Sequence, residues 1–171
     1  MAYQALSSDE TTDLSEAQVN DLDGRISVIM PVYNGAEFIP LSLPPLIDMM
    51  HRGEILEVIV VDDGSTDGSK QMAETIGAKV LSSGGRLGPG GARNQAANTA
   101  LGDILWFVDA DVVVHSDAAR RLGIGFDVEQ VVAVFGSYDS SPPARNFFSQ
   151  YKNLVHHYYH NRAKDEAHTF W

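Results

Sequence analysis

From Arg25 onward, short and nearly unbroken apolar runs alternate with segments whose apolar residues return every three or four positions. The runs are rich in β-branched residues, a pattern that predicts parallel strands buried on both faces. They fall at Ile26–Val32, Leu56–Val61, Lys79–Leu81, Ile104–Val108 and Val131–Phe135. The segments between them predict helices over Leu41–Arg52, Ser69–Ile76, Ala92–Ala100 and Asp117–Leu122, the last with Ser116 as N-cap. Pro44 and Pro45 suit a first helical turn better than an interior. Successive βαβ units of this kind build an α/β domain, a mostly parallel sheet flanked by helices.

Two segments lie outside this alternation. Phe147, Phe148, Tyr151, Leu154, Val155, Tyr158 and Tyr159 fall on one side of a helical repeat, after a loop at Ser140–Pro143, and predict an amphipathic helix packed on the core. Its other face carries His156, His157 and His160. The first and last have the spacing of two metal ligands on a helix, but without an HExxH pattern they read as exposed and unliganded. At the other end, residues 1–24 hold six acidic side chains and no basic one. That composition predicts a solvated, poorly ordered tail, with a short helix at Leu14–Leu22 as the alternative. The expected organisation is therefore a tail over 1–24 and one domain over 25–171.

Composition narrows the classes. At 171 residues, 44% hydrophobic and 20% charged, the chain is that of an ordinary globular domain. No stretch approaches the ~20 apolar residues that cross a bilayer, and no basic-then-apolar leader opens the chain. The expected location is the cytoplasm, with peripheral attachment to the inner face of a membrane as the second placement considered. A net charge of −11 argues against nucleic acid as a partner, which needs a basic footprint. With no cysteine, any metal must be held by oxygen or imidazole, which points to hard cations.

In an open α/β sheet, ligands bind beyond the carboxyl ends of the strands. Three runs end there in polar residues: Pro31-Val32-Tyr33-Asn34-Gly35, Asp62-Asp63-Gly64-Ser65-Thr66-Asp67 and Asp109-Ala110-Asp111. Two carboxylates one residue apart in an otherwise apolar run repel unless a cation stands beside them, and oxygen ligands with open positions suit Mg²⁺ or Mn²⁺. The same pair also suits a strand-end turn. Asp62 fits either a turn or hydrogen bonding to a nucleoside, and Asp67, in a Gly/Ser/Thr-rich turn before a helix, reads as a cap. The loop Ser82–Arg93 has five glycines, which permit close backbone approach to a ligand, and two arginines, Arg86 and Arg93. Arg93 fits a phosphate contact or a surface ion pair equally well. The loop lacks the dinucleotide fingerprint and no GxxxxGK[ST] occurs, which disfavours a nicotinamide-dependent dehydrogenase.

Taken in order, ISVIMPVYNG, EVIVVDDGSTDGS, GPGGARNQAANTALGD and ILWFVDADVVV resemble the family 2 glycosyltransferases of GT-A fold, from about Arg25 to Val114 and more loosely beyond. The resemblance implies a Rossmann-like nucleotide-diphospho-sugar transferase fold. It implies a UDP- or GDP-linked sugar donor, an acceptor it does not identify, and metal-assisted, inverting transfer. It places Pro31, Val32 and Tyr33 in the nucleoside pocket and Asp62 on the base. Arg86 or Arg93 would hold base or phosphates, and Asp109 and Ala110 would lie along the donor. Asp111, with Asp109, would hold Mn²⁺ or Mg²⁺. The family's acceptor-binding half, with the carboxylate that acts as base, would follow Trp171, so the chain reads as truncated and no catalytic base is assigned within it. Asp165 and Glu166 read as solvated. The alternative is a non-catalytic nucleotide-sugar-binding module.

Overall fold

The run Ile26–Val32 forms strand β1, and every one of its residues is buried, as a central strand with neighbours on both sides requires. The structure, a computed structural model, describes residues 24–126, 131–138 and 147–162, apart from the side chains of Ser149, His156 and residues 159–162. The acidic segment 1–23 with its candidate helix, the loop Ser140–Pro143, the His156/His160 pair, and Asp165 and Glu166 lie outside what is described. The described residues up to Val132 belong to one compact unit and those from Ala133 onward to another.

In the first unit the order is β1, α1 (Ile39–His51), β2 (Glu57–Asp62), α2 (Ser69–Ile76), β3 (Lys79–Ser82), α3 (Gly88–Ala97), β4 (Ile104–Phe107) and α4 (Ala118–Phe126). The four strands form one parallel sheet in the order β3-β2-β1-β4. Alternation along β1 divides the core between the faces of the sheet. Val28, Met30 and Val32 pack with Ile39, Leu43, Leu46 and Met49 of α1, while Ile29 joins Ile59 and Val61 of β2 against Ala92 and Ala96 of α3. Small residues on α3 let that helix lie close to the strands.

Two helices begin earlier than their local sequence predicts. Helix α1 starts at Ile39 with Pro40 in its first turn and carries Pro44 and Pro45 inside. Those prolines leave the carbonyls of Pro40 and Leu41 without helical donors, and both residues are exposed, so water can satisfy them. Helix α3 starts at Gly88 rather than Ala92 because its first amides find an acceptor elsewhere in the chain, described below.

Two expectations are corrected. Val131–Phe135 is not a strand: residues 131–138 are irregular, no ladder among the described residues includes them, and Val132 is 91% exposed. An apolar run becomes a strand only where an edge pairs with it. In the second unit, α5 (Phe147–Arg162) forms as expected, but its Phe147, Phe148, Tyr151, Leu154 and Tyr158 are exposed rather than packed in the core. Its aromatic rings meet each other instead, Phe147 edge-on to Phe148 and stacked on Tyr151. No helix among the described residues is long and apolar enough to cross a membrane.

Candidate functional site

Because all four strands are parallel, their carboxyl ends share one edge, and the three polar strand ends meet there. Val32 pairs in register with Asp62, and the amide of Asp63 continues the ladder to the Val32 carbonyl at 2.8 Å. On the other side the amide of Val108 reaches the Ile29 carbonyl, and Asp109-Ala110-Asp111 turns away directly after it, closed by Val112 N–H to the Asp109 carbonyl. A Cβ on Gly35 would stand 2.8 Å from a Val32 methyl and 3.8 Å from the Cβ of Ala110, so glycine here makes room for the Val32 side chain beside the β4 turn.

A cleft of about 360 Å³ opens at this edge, within the range of small-molecule sites. Pro31, Val32, Tyr33, Asn34, Gly35 and Phe38 form one wall; Pro89, Arg93, Asp109, Ala110 and Asp111 complete it. Seven of the residues singled out from sequence are thus brought together: Pro31, Val32, Tyr33, Arg93, Asp109, Ala110 and Asp111. Arg86 is not in the lining but sits over the Tyr33 ring, its guanidinium carbon 3.7 Å from the ring centroid, a cation–π contact. Asp62 does not line the cleft either. It is buried behind Val32, and its Oδ1 accepts the Ser65 amide at 3.1 Å, which is the turn-forming alternative.

Arg93, reaching from α3, donates through Nη2 to Oδ1 of Asp109, so the ion-pair alternative holds for this side chain. Its Nε is buried and has no hydrogen-bond partner among the described residues. Asp111 is exposed and makes no ion pair among the described residues. No group of three or more His, Asp or Glu side chains that could by itself hold a metal occurs among the described residues. The available donors are carboxylate oxygens, Asp111 foremost. They fit Mg²⁺ or Mn²⁺ as an incomplete set whose other positions fall to water and ligand oxygens.

The loops around the cleft are held by residues that sequence reading assigned to turns or passed over. Asn34, at φ +49°, donates its amide to Ser65 Oγ at 3.0 Å and accepts the Thr66 amide on its side-chain oxygen at 2.9 Å. Gly35 N–H donates to Ser69 Oγ at 2.9 Å, and Ala36 N–H to Asp67 Oδ2 at 2.9 Å. Asp67 also accepts the amide and hydroxyl of Ser69. It therefore caps the helix start as expected and, beyond that, ties the β1 loop to the β2 loop. The Ser69 hydroxyl and the Ala36 amide lower its pKa, against the smaller opposing effect of burial. Asp63, only 4% exposed, accepts the amides of Leu87 and Gly88 at 2.8 and 2.9 Å. The Leu87 amide is the main reason its pKa is lowered, against some opposition from burial, with Ser83, Gly88 and Arg86 adding to it. Acidic and hydroxyl residues at every second position of DDGSTDGS were the available signal; their partners, more than twenty residues away, were not readable locally.

Comparison with known proteins agrees with this fold. The family model described as Glycosyl transferase family 2 matches residues 27–170. The poly(ribitol-phosphate) beta-glucosyltransferase of Bacillus spizizenii is 36% identical over 106 residues, which are 57% of this chain and 16% of that protein. The crystal structure of S. aureus TarS 1-349 in complex with UDP superposes with a TM-score of 0.53 at 30% identity, covering 67% of this chain and 39% of that one. The mannosyltransferase PcManGT from Pyrobaculum calidifontis, in complex with GDP-Man and Mn²⁺, gives a TM-score of 0.50 at 32% identity, covering 58% of this chain and 31% of that one. The parallel sheet flanked by helices is the GT-A arrangement of these neighbours. In each case this chain spans well under half of the relative's length.

Proposed function

This chain belongs to glycosyl transferase family 2, and from that premise we propose that its cleft holds a UDP- or GDP-linked sugar for transfer to an acceptor with inversion. The observation that carries this reading is the convergence of Tyr33, Arg93, Asp109 and Asp111 on one cleft at the strand ends. Tyr33 offers a ring face to the base, backed by Arg86. Arg93 carries positive charge into the cleft where a diphosphate would lie, and its unpartnered Nε is a further donor. Asp111, with Asp109 as a second carboxylate, would hold Mn²⁺ or Mg²⁺. Bound there, the ion supplies neutralisation of charge on the departing diphosphate. Two of the solved relatives carry the corresponding ligands, UDP in one and GDP-Man with Mn²⁺ in the other, which supports the choice of donor class and ion.

Thermal unfolding with nucleoside diphosphates tests the proposal. UDP or GDP with Mn²⁺ should raise the melting temperature, as any ligand of the folded state does. Asp111→Ala should abolish the metal-dependent part of the rise. Absence of a shift with every nucleoside diphosphate defeats the proposal. A donor-binding module without turnover is told apart by assaying release of nucleoside diphosphate from the sugar donor with acceptors supplied.

A further inference from the structure

The two edges of the sheet are built differently. Strand β3 begins with Lys79 and ends with Ser82, the kind of charged and polar side chains that keep an edge from pairing with another chain. Strand β4, Ile-Leu-Trp-Phe, has no charged side chain, and no strand among the described residues pairs with its outer side. Ile104 and Val108 donate their amides to the carbonyls of Arg25 and Ile29 on the β1 side, so alternation along the strand turns the N–H and C=O groups of Leu105 and Phe107 to the open side. The side chains of these same two residues are exposed, at 37% and 49%. They stand on the Ile29 face of the sheet, where the apolar cluster under α3 draws on β1, β2 and β3 and leaves β4 uncovered. Ile104 and Trp106, by contrast, pack on the opposite face with the α1 cluster.

We infer that the β4 edge is a self-association surface, on which a second copy of this chain lays its own β4 antiparallel and joins two four-stranded sheets into one. The edge itself selects the register. A two-fold axis perpendicular to the sheet keeps every side chain on its own face, so it pairs only positions an even number of residues apart. Centred on Trp106, it sets Leu105 of one copy opposite Phe107 of the other. Both residues have outward N–H and C=O groups, so each such pair exchanges both of its backbone hydrogen bonds. The leucine and the aromatic ring then cover each other on the exposed face, once on each side of the axis. Centred on Leu105 instead, the axis would set Asp103 against Phe107. In the favoured register Asp103 and Asp109 face each other beyond the strand ends, and each is already paired with an arginine of its own chain, Arg25 and Arg93. The two clefts lie at opposite ends of the joined sheet. So short a strand makes a contact of the small, transient class.

Hydrogen exchange and sedimentation of the whole chain test this, in about 0.5 M salt so that the net charge of −11 is screened beyond about 4 Å. With a dissociation constant on the order of 100 µM, the Leu105 and Phe107 amides should exchange as unprotected groups at about 10 µM protein and about fivefold more slowly at about 1 mM. Sedimentation equilibrium should show the matching shift from monomer to dimer. Phe107→Lys, at an exposed position, should leave the chain monomeric at about 1 mM with exchange at Ile29 unchanged. Should that variant not fold, Leu105→Pro takes its place, since it removes an amide that faces away from β1. The register is read by cross-linking, because the chain has no cysteine. Leu105→Cys mixed with Phe107→Cys should form about fivefold more disulfide-linked dimer than either variant alone, since opposed positions lie within disulfide reach and like positions do not. A monomer at about 1 mM overturns the inference. So does protection of Leu105 and Phe107 that is independent of concentration, which would assign the edge to another segment of the same chain. A dimer that persists in Phe107→Lys, or links equally through like positions, overturns it as well.

Discussion

Arg93 on α3 neutralises Asp109 at the end of β4, while Asp111, two residues on, makes no ion pair among the described residues. The two carboxylates of this turn are thus not equivalent: a fixed cation already serves the first. Side-chain exposures of 31% and 56% make this a surface pair, worth about 0–1 kcal/mol. Arg93→Ala should therefore change stability by no more than about 1 kcal/mol. Its effect on metal should be larger, since it removes a positive charge beside the cleft and frees a second carboxylate. Manganese titration followed by electron paramagnetic resonance, without nucleotide, should show several-fold tighter binding in Arg93→Ala. Unchanged or weaker binding would mean that the arginine does not compete for Asp109.

Asp67 joins the loop after β1, which lines the cleft, to the loop after β2. Replacing it by Asn leaves one oxygen to serve Ala36 N–H, Ser69 N–H and the Ser69 hydroxyl. Amide hydrogen exchange at Ala36 should accelerate about tenfold, with little change at core amides of β1 such as Ile29. The depressed pKa of Asp67 sets the direction with pH: the carboxylate's ties are complete above the ordinary aspartate range and are lost as pH falls through the lowered value. Uniform acceleration through the sheet would show that the loops are not a separate unit.

The sheet was legible because β1 and β2 are buried on both faces and leave a continuous apolar signature, whereas the predicted strand at Val131–Phe135 shows that such a run says nothing about its partner. Strand ends could be read from the first polar residue after each run, which puts Tyr33, Asp109 and Asp111 at one edge of the sheet; the roles expected of them came from the family resemblance. The division of labour among the acids was not legible. Asp67 was legible as a cap from its Gly/Ser/Thr-rich turn, but its tie to the β1 loop was not, nor was it legible that Asp62 turns on itself while Asp63 caps a helix twenty-five residues away. Those roles depend on tertiary proximity. The early start of α3 has the same cause, because glycine-rich sequence becomes helical there only with Asp63 to accept its first amides.

At the opposite end of the sheet, Gly102 approaches the start of β1 so closely that a Cβ would collide with the backbone of Arg25 and with Ser27 N at 2.8 Å. Backbone cannot swing aside as a flexible side chain can. Gly102→Ala should cost about 1–3 kcal/mol in urea unfolding, the usual range for overpacking. A loss under about 0.5 kcal/mol would show that the β4 start shifts freely.

The same end carries a half-buried polar knot whose strength should follow pH. Glu57 accepts the Ser27 hydroxyl at 2.9 Å and the Leu101 amide at 2.7 Å on one oxygen, and pairs with Lys79 at 3.0 Å through the other. Ser27 in turn accepts the Gly102 amide at 2.9 Å, so β1, β2, β3 and the approach to β4 share one carboxylate. Burial taken alone raises the Glu57 pKa, but the Leu101 amide, Lys79 and Ser27 together outweigh it and leave it lowered. A lowered folded value means that the knot contributes fully above the unfolded pKa of about 4.3 and is lost as pH falls through the folded one. Glu57→Gln should therefore cost about 1–3 kcal/mol at neutral pH, where a charge-assisted set is replaced by a neutral one. The difference between the two proteins should shrink as the pH falls below the ordinary glutamate range and through the lowered pKa of Glu57, where the unaltered chain also becomes neutral at this position. Urea unfolding of both at several pH values checks this. A penalty that stays constant down to the acid transition would assign the cost to packing of the side chain and not to its charge.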